Sequence, residues 1–115
     1  MLAQSSAILV RPFPSALEFE RRQGERHSCQ LDATTHPLDA QDTLAWGASV
    51  RDISRTGVGL TLCFPFRKGT YLAVELKGMT VLSRVVHVRD KNDGTYHVGC
   101  EFLKPLTDAE LDRLL

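Results

Sequence analysis

The chain has 115 residues, and its 14 Lys and Arg balance 14 Asp and Glu, so its formal net charge is zero at neutral pH. This length suits one domain with its own hydrophobic core and excludes a second full domain. The balanced charge excludes the overall positive field that holds a long nucleic acid, so an anionic ligand would be small and bound locally.

The cysteines and the N-terminus indicate the cellular compartment. Cys29, Cys63 and Cys100 are odd in number and widely spaced in apolar surroundings, which favours reduced core thiols over a disulfide framework or a zinc site. The N-terminal segment has no basic lead-in or cleavage signal, and no stretch approaches membrane-spanning length. The sequence therefore predicts a cytoplasmic protein without a metal and without membrane insertion.

Residues 1–18 are weakly patterned and contain two prolines, so we expect a flexible N-terminal arm. A short helix is predicted towards Arg22, and Gly24 would end it. Arg21, Arg22 and Arg26 alternate with glutamates, a pattern that by itself is typical of a solvated helix face.

From residue 27 onward, alternating apolar and polar residues predict short strands. Tight turns are predicted at Lys77-Gly78 and at Asn92-Asp93-Gly94. The expected strands cover residues 28–34, 46–53, 58–63, 71–77, 79–89 and 96–102. Hairpin links without crossover helices predict one all-β domain over residues 19–115, a six-stranded antiparallel barrel, because closure removes exposed sheet edges.

A C-terminal helix is predicted over residues 107–115. Thr107 is its expected N-cap and Glu110 the reciprocal partner in a capping box. Leu111, Leu114 and Leu115 fall on one side of this helix, so we expect it to lie against the barrel.

Asp52, Ser54 and Gly57 form a D-x-S-x-x-G motif between two predicted strands. Alone, this motif is a common turn. Because alternate strand residues share a face, we expect Asp52 and Ser54 on the outer face of the barrel and Ile53 inside.

Thirty residues upstream, Arg22 and Arg26 form an R-x-x-x-R motif. Guanidinium groups bind phosphate oxygens and the O6/N7 edge of guanine, whereas an aspartate such as Asp52 accepts hydrogen bonds from guanine N1 and N2. The two motifs together predict a guanine nucleotide pocket. Arg55 and Arg84 are further candidates for phosphate contacts.

The order of these motifs, followed by a valine-rich strand at 81–88 and Gly99-Cys-Glu-Phe102, resembles the PilZ family of bacterial cyclic di-GMP receptors. The resemblance covers roughly residues 19–103. It implies a non-enzymatic receptor in which an arm carrying Arg22 and Arg26 closes over the ligand. Closure would alter the interaction with a downstream protein or with another copy of the chain.

The resemblance also implies roles for individual residues. Asp52 and Ser54 would fix a guanine by its hydrogen-bond donors, and Gly57 would allow the backbone to turn. Arg21 precedes the first motif arginine, the place at which family members often bind two intercalated ligands, so we expect two cyclic di-GMP per chain.

Three other interpretations stay open or are disfavoured. One is a PilZ-like barrel that binds a protein and no nucleotide. Another is a small barrel for single-stranded nucleic acid, with Trp46, Tyr71 and Tyr96 as stacking platforms. Catalysis is disfavoured because the sequence has no nucleophile elbow or other catalytic signature.

Overall fold

A computed structural model describes residues 25–38 and 44–115. Their strands are β1 (His27–Pro37), β2 (Trp46–Ile53), β3 (Gly57–Leu62), β4 (Tyr71–Leu76), β5 (Met79–Asp90) and β6 (Tyr96–Phe102), followed by a helix, α1 (Asp108–Leu114). The strands pair antiparallel in the order β1-β2-β3-β6-β5-β4 and close into a barrel. The predicted fold, a six-stranded antiparallel barrel with a C-terminal helix, is confirmed. The predicted N-terminal arm, 1–18, lies outside the described residues.

The strand boundaries agree with the predicted ones for β2 and β6, and β1 differs most. It extends to Pro37, three residues beyond its predicted end. The reason is pairing on both sides, because the second half of β1 bonds to β4 as well as to β2. Local alternation does not reveal such long-range pairing.

The interior of the barrel is filled by the alternate apolar residues of the strands. In β3, for example, Val58, Leu60 and Leu62 are buried. Branched aliphatic side chains dominate this core, and their removal from water is the main favourable term in folding. The largest fully buried apolar residues are Ile53, Leu60, Leu72, Leu114, Val50, Val58, Val74, Val85 and Val98.

Both predicted tight turns are present. Lys77 and Gly78 join β4 to β5 with φ angles of 48° and 74°. Asn92 and Gly94 join β5 to β6 with φ angles of 63° and 89°. Positive φ angles favour glycine and asparagine, which explains Gly78, Asn92 and Gly94 at these turns.

The helix α1 begins with the predicted capping box. The Thr107 hydroxyl accepts the Glu110 N–H at 3.1 Å, and Glu110 Oε1 accepts the Thr107 N–H at 2.8 Å. Leu111 and Leu114 are buried, whereas Leu115 is half exposed. The prediction that Leu115 shares the buried side was wrong, because the helix ends at Leu114 and Leu115 is its C-cap.

The three cysteines are free but differ in burial. Cys100 is buried, Cys29 is partly buried and Cys63 is exposed. The expectation of three core thiols was therefore wrong for Cys63, which follows the inward-facing Leu62 at the end of β3 and so points outward. Among the described residues, no three metal-binding side chains cluster. None of the helices in this part of the chain has the length and apolar character needed to cross a membrane.

Candidate functional site

The turn between β2 and β3 is organised by Ser54. Its backbone N–H donates to the Gly57 carbonyl at 2.9 Å. Its hydroxyl accepts the N–H groups of Thr56 at 3.2 Å and Gly57 at 3.1 Å. These bonds satisfy polar groups that the turn would otherwise bury without partners.

Ser54 is completely buried, so the prediction that it faces outward with Asp52 was wrong. Strand β2 ends at Ile53, and the alternation of faces does not continue into the turn. Hydrogen bonds from the turn and from Arg26 instead enclose the Ser54 hydroxyl. Ile53 is buried as predicted.

Asp52 lies on the outer face of β2, as predicted. Its register partners are Ser28 on β1 and Gly59 on β3. The Asp52 side chain is 31% exposed, but its Oδ1 atom is buried and has no hydrogen-bond partner in the described part of the chain, so the exposure belongs to the rest of the side chain. Partial burial strengthens its electrostatic interactions relative to those of a fully solvated acid.

Arg26 reaches both functional groups of the D-x-S-x-x-G motif. Its Nε atom lies 3.2 Å from Asp52 Oδ1, and an Nη1 hydrogen is donated to Ser54 Oγ at 3.4 Å. The Nε–H is not well aligned with Oδ1, so the contact with Asp52 is an ion pair rather than a good hydrogen bond. Antiparallel pairing places His27, the next residue, opposite Ile53, and this brings Arg26 to the motif.

An open depression of about 420 Å³ lies beside these residues. Its size is within the range of small-molecule sites. The lining residues come from the residue before β1, the β2–β3 turn, the start of β3 and strands β5 and β6. They are Arg26, Ser54, Thr56, Gly57, Val86, Cys100 and Glu101.

Gly57 is required by close packing between β3 and β6. A Cβ atom at this position would lie 2.5 Å from the backbone oxygen of Cys100. Glycine therefore allows the two strands to meet at the edge of the depression, in addition to its predicted role in the turn.

Two of the predicted site residues, Arg21 and Arg22, lie outside the described residues. The structure brings together the remaining four, Arg26, Asp52, Ser54 and Gly57. Sequence reasoning missed Thr56 and Glu101. The alternation along β6 would have placed Glu101 on the outer face, but nothing in the local sequence linked it to the motif.

Arg55 and Arg84 already have protein partners. Arg55 Nε donates to the Leu106 carbonyl at 3.0 Å, and the Arg55 carbonyl accepts the Leu106 N–H at 2.7 Å. Arg84 Nη2 lies 3.5 Å from Glu101 Oε1. Arg55 thus ties the motif turn to the segment that leads into α1, a role that the sequence did not indicate.

The family comparison agrees with this geometry. The family model described as the PilZ domain matches residues 20–115. The chain belongs to the PilZ family. The family assignment made from the two motifs is therefore confirmed. A comparison with curated proteins gave no significant match.

Solved PilZ structures share the fold. The barrel is similar to the structure titled PilZ domain with c-di-GMP of YcgR from Escherichia coli, with a TM-score of 0.59 and 16% identity over 82% of this chain and 86% of that chain. It is also similar to the Bacillus subtilis inhibitor of motility (MotI/DgrA), with a TM-score of 0.56 and 15% identity over 77% of this chain. The match spans 46% of the Bacillus chain. At these identities the likeness concerns the fold.

Proposed function

We propose that this PilZ domain is a non-enzymatic receptor that binds cyclic di-GMP on the outer face of the barrel. The site would consist of the two motifs, with residues Arg21, Arg22, Arg26, Asp52, Ser54 and Gly57. The observation that carries the proposal is the meeting of Arg26 with Asp52 and Ser54, residues from motifs that are far apart in the sequence.

The chemistry of the assembled groups suits a guanine nucleotide. The Asp52 carboxylate accepts hydrogen bonds only, so it complements the N1–H and N2–H donors of guanine. The guanidinium group of Arg26 supplies several donors in a planar fork that matches phosphate oxygens or the O6/N7 edge. The ion pair between these two side chains holds them next to each other until the ligand competes for them.

Ser54 has a supporting role in this proposal. Its hydroxyl already accepts two backbone N–H groups and one Arg26 N–H. We therefore assign Ser54 to holding the turn and positioning Arg26 beneath the ligand. Asp52 makes the direct contact with the base.

Ligand binding would close the arm that carries the arginines over the ligand, by ordering or by re-orientation, and present a new surface to a partner. A ligand with two phosphates and two guanines bridges groups that are separate along the chain, so its binding energy favours the closed arrangement. The receiver of the signal would be a separate protein or another copy of this chain.

Arg21 supports a stoichiometry of two cyclic di-GMP per chain. Each added arginine provides another fork for the four guanines and four phosphates that a pair of intercalated ligands presents. Calorimetric titration measures this number directly. Saturation at one ligand per chain would contradict this part of the proposal.

The alternative of single-stranded nucleic-acid binding has less support. Trp46 stacks on Phe64 with ring centroids 4.4 Å apart, and Tyr96 packs against the core. Of the three predicted platforms, Tyr71 is the most exposed residue, at 45%. A protein-binding barrel without nucleotide affinity remains the second candidate, since surface residues such as Tyr71 could serve it.

The deciding experiment is a titration of the full chain with cyclic di-GMP, GTP and a short single-stranded oligonucleotide. We expect binding of cyclic di-GMP that greatly exceeds that of the other two. Arg26→Ala and Asp52→Asn should each weaken it by about 5- to 150-fold, the equivalent of roughly 1–3 kcal/mol for one bidentate contact.

Two matched controls remove the same charge elsewhere. Arg67 is exposed and lines a different pocket beside Trp46, and Asp32 is exposed beside the β4–β5 turn. Arg67→Ala and Asp32→Asn should bind cyclic di-GMP like the parent chain. No measurable binding by the parent, or equal losses in the controls, would contradict the proposed function.

A further inference from the structure

Two glycines interrupt a row of side chains on the outer face of the barrel. Asp52 on β2 lies opposite Gly59 on β3, Gly59 lies opposite Gly99 on β6, and Gly99 lies opposite His87 on β5. All four residues face outward, because the next residue along each strand belongs to the inward-facing set. The two central positions therefore have no side chain of their own.

The flanking side chains occupy the space that the glycines leave. A Cβ atom on Gly59 would lie 2.9 and 3.0 Å from the Asp52 carboxylate oxygens and 3.1 Å from His97 Cε1. A Cβ atom on Gly99 would lie 3.2 Å from His87 Nδ1. Asp52 and His97 thus reach the same point above Gly59, and the carboxylate and the imidazole are neighbours.

His87 contacts the ring of His97. The centroids of the two imidazoles are 5.3 Å apart, and the ring planes are inclined by 65° in an edge arrangement. Such an edge contact restrains the imidazole of His97 and leaves the face of that ring uncovered. His97 is partly buried, whereas His87 is exposed.

Several groups determine the protonation of His97. Burial lowers its pKa, as do the nearby His87, Arg89 and Lys91, while Asp52 acts in the opposite direction. The imidazole is therefore neutral near pH 7, with one nitrogen as donor and the other as acceptor. A neutral ring with one N–H beside a carboxylate offers an acceptor group and a donor side by side.

The hydrogen-bonding edge of guanine has the complementary order. Its N2–H and N1–H donors are followed by the O6 acceptor. When the two donors bind the Asp52 carboxylate, O6 lies immediately beside it. Two groups beside Asp52 could donate to this oxygen, the guanidinium of Arg26 and the imidazole of His97. When Arg26 binds a phosphate, His97 is the donor that is left for O6.

We propose that His97 is a specificity-determining residue that donates an N–H to guanine O6, and that Gly59 provides the space in which Asp52 and His97 share one base. This inference rests on the proposed function, since it assigns a further contact to the same ligand. It also explains why a side chain is absent at the centre of the row.

The test compares three replacements of His97. Phe keeps a flat ring without a donor, Gln keeps a donor without the ring, and Ala removes both. We expect His97→Phe and His97→Ala to weaken cyclic di-GMP binding by about five- to tenfold, the value of one hydrogen bond to a buried acceptor. His97→Gln should bind within about twofold of the parent, since a donor is retained.

A second ligand distinguishes the contribution of His97 to binding from that of Asp52. Cyclic di-IMP keeps N1–H and O6 but lacks the N2 amino group, so its weaker binding measures the N2 contact with Asp52. His97→Phe should lower the affinity for both ligands by the same factor and leave their ratio unchanged. Asp52→Ala should remove the difference between the ligands.

The outcomes distinguish the two proposals. If the parent ignores cyclic di-GMP, the proposed function fails and His97 has no role in it. If Asp52→Ala abolishes binding while His97→Phe and His97→Ala bind like the parent, the function stands and the assignment of His97 is overturned. Equal losses in the Phe and Gln variants would also overturn it, because they would show that a side-chain donor at this position does not restore binding. His36→Phe, which changes an imidazole on β1 that pairs with Glu75, serves as the matched control.

Discussion

Gly59 lies directly beneath the carboxylate of Asp52. The two residues are register partners on β3 and β2, and a Cβ atom on Gly59 would approach both carboxylate oxygens to 3.0 Å or less. The missing side chain allows the acid to lie against the barrel instead of projecting into solvent. The position of Asp52 therefore depends on a residue outside the recognised motif.

Replacing Gly59 with alanine should weaken ligand binding without unfolding the barrel. The added methyl group meets the ends of two side chains, Asp52 and His97, which can rotate away. We expect an affinity for cyclic di-GMP at least about fivefold lower, the equivalent of roughly 1 kcal/mol, because Asp52 loses its position. Calorimetry measures the affinity, and a thermal melt should give nearly the parent midpoint.

Gly57→Ala is the informative comparison for this variant. Its methyl group would lie 2.5 Å from the backbone oxygen of Cys100, and a strand cannot rotate away. We expect a loss of about 1–3 kcal/mol in the free energy of unfolding, measured in urea. Equal stability of Gly57→Ala and Gly59→Ala would contradict this distinction between backbone and side-chain neighbours.

The fold could be predicted from the sequence because its determinants are local. Alternation along strands such as β3 identified the inward residues, and the glycines at positions 78 and 94 marked tight turns with positive φ angles. The capping box at Thr107 also depends only on residues three positions apart. Barrel closure followed from the absence of crossover helices.

The site could be predicted only in part, since its geometry depends on where strand β2 ends and on how distant strands pair. Alternation placed Asp52 correctly, but it failed for Ser54, because the strand stops one residue earlier and turn hydrogen bonds take over. The contact between Arg26 and Asp52 depends on the register between β1 and β2. Register between distant strands has no local signature. The bond from Arg55 to Leu106 could not be predicted for a similar reason, because it joins residues that are 51 positions apart in the sequence.

Arg55 should contribute to stability through this bond. Its Nε donates to the Leu106 carbonyl at 3.0 Å, and its side chain is mostly buried. We expect Arg55→Ala to lower the free energy of unfolding by about 1–2 kcal/mol, as a charge-assisted hydrogen bond is lost. Asp108, the ion-pair partner of Arg55, is 85% exposed, so Asp108→Ala should cost less than about 0.5 kcal/mol. Urea denaturation of both variants tests the order.

The capping box should make stability depend on acid pH. The hydrogen bond from the Thr107 backbone N–H lowers the pKa of Glu110 below its usual value. A carboxyl group with a lower pKa in the folded state stabilises the fold above its unfolded pKa of about 4.3, and this contribution is lost as the pH falls through the folded pKa. Glu110→Gln should therefore flatten the decrease in melting temperature below about pH 4.3.

Some acid dependence should persist in that variant. The pKa of Asp93 is also lowered, by hydrogen bonds from Thr95, and its sign is the same. Thr107→Ala, which removes the other half of the box, should cost about 1 kcal/mol at neutral pH. An unchanged acid slope in Glu110→Gln would show that ionisation of Glu110 does not contribute to the stability of the fold.

The three thiols should react with a disulfide reagent at very different rates. Burial raises the pKa of Cys100 to about 12, so its reactive thiolate is scarce at pH 8 and is shielded inside the barrel. Burial and the charge of Asp52 also raise the pKa of Cys29, whereas Cys63 is exposed. We expect Cys63 to react first, Cys29 more slowly, and Cys100 only as the barrel opens. The absorbance of the released thiol measures the rates, and mass spectrometry of the labelled peptides identifies which cysteine has reacted.

Cys63→Ser should remove the fast phase alone, and urea should make the remaining thiols react together. Rapid labelling of Cys100 in the folded chain would mean that β3 and β6 separate readily beside the motif turn.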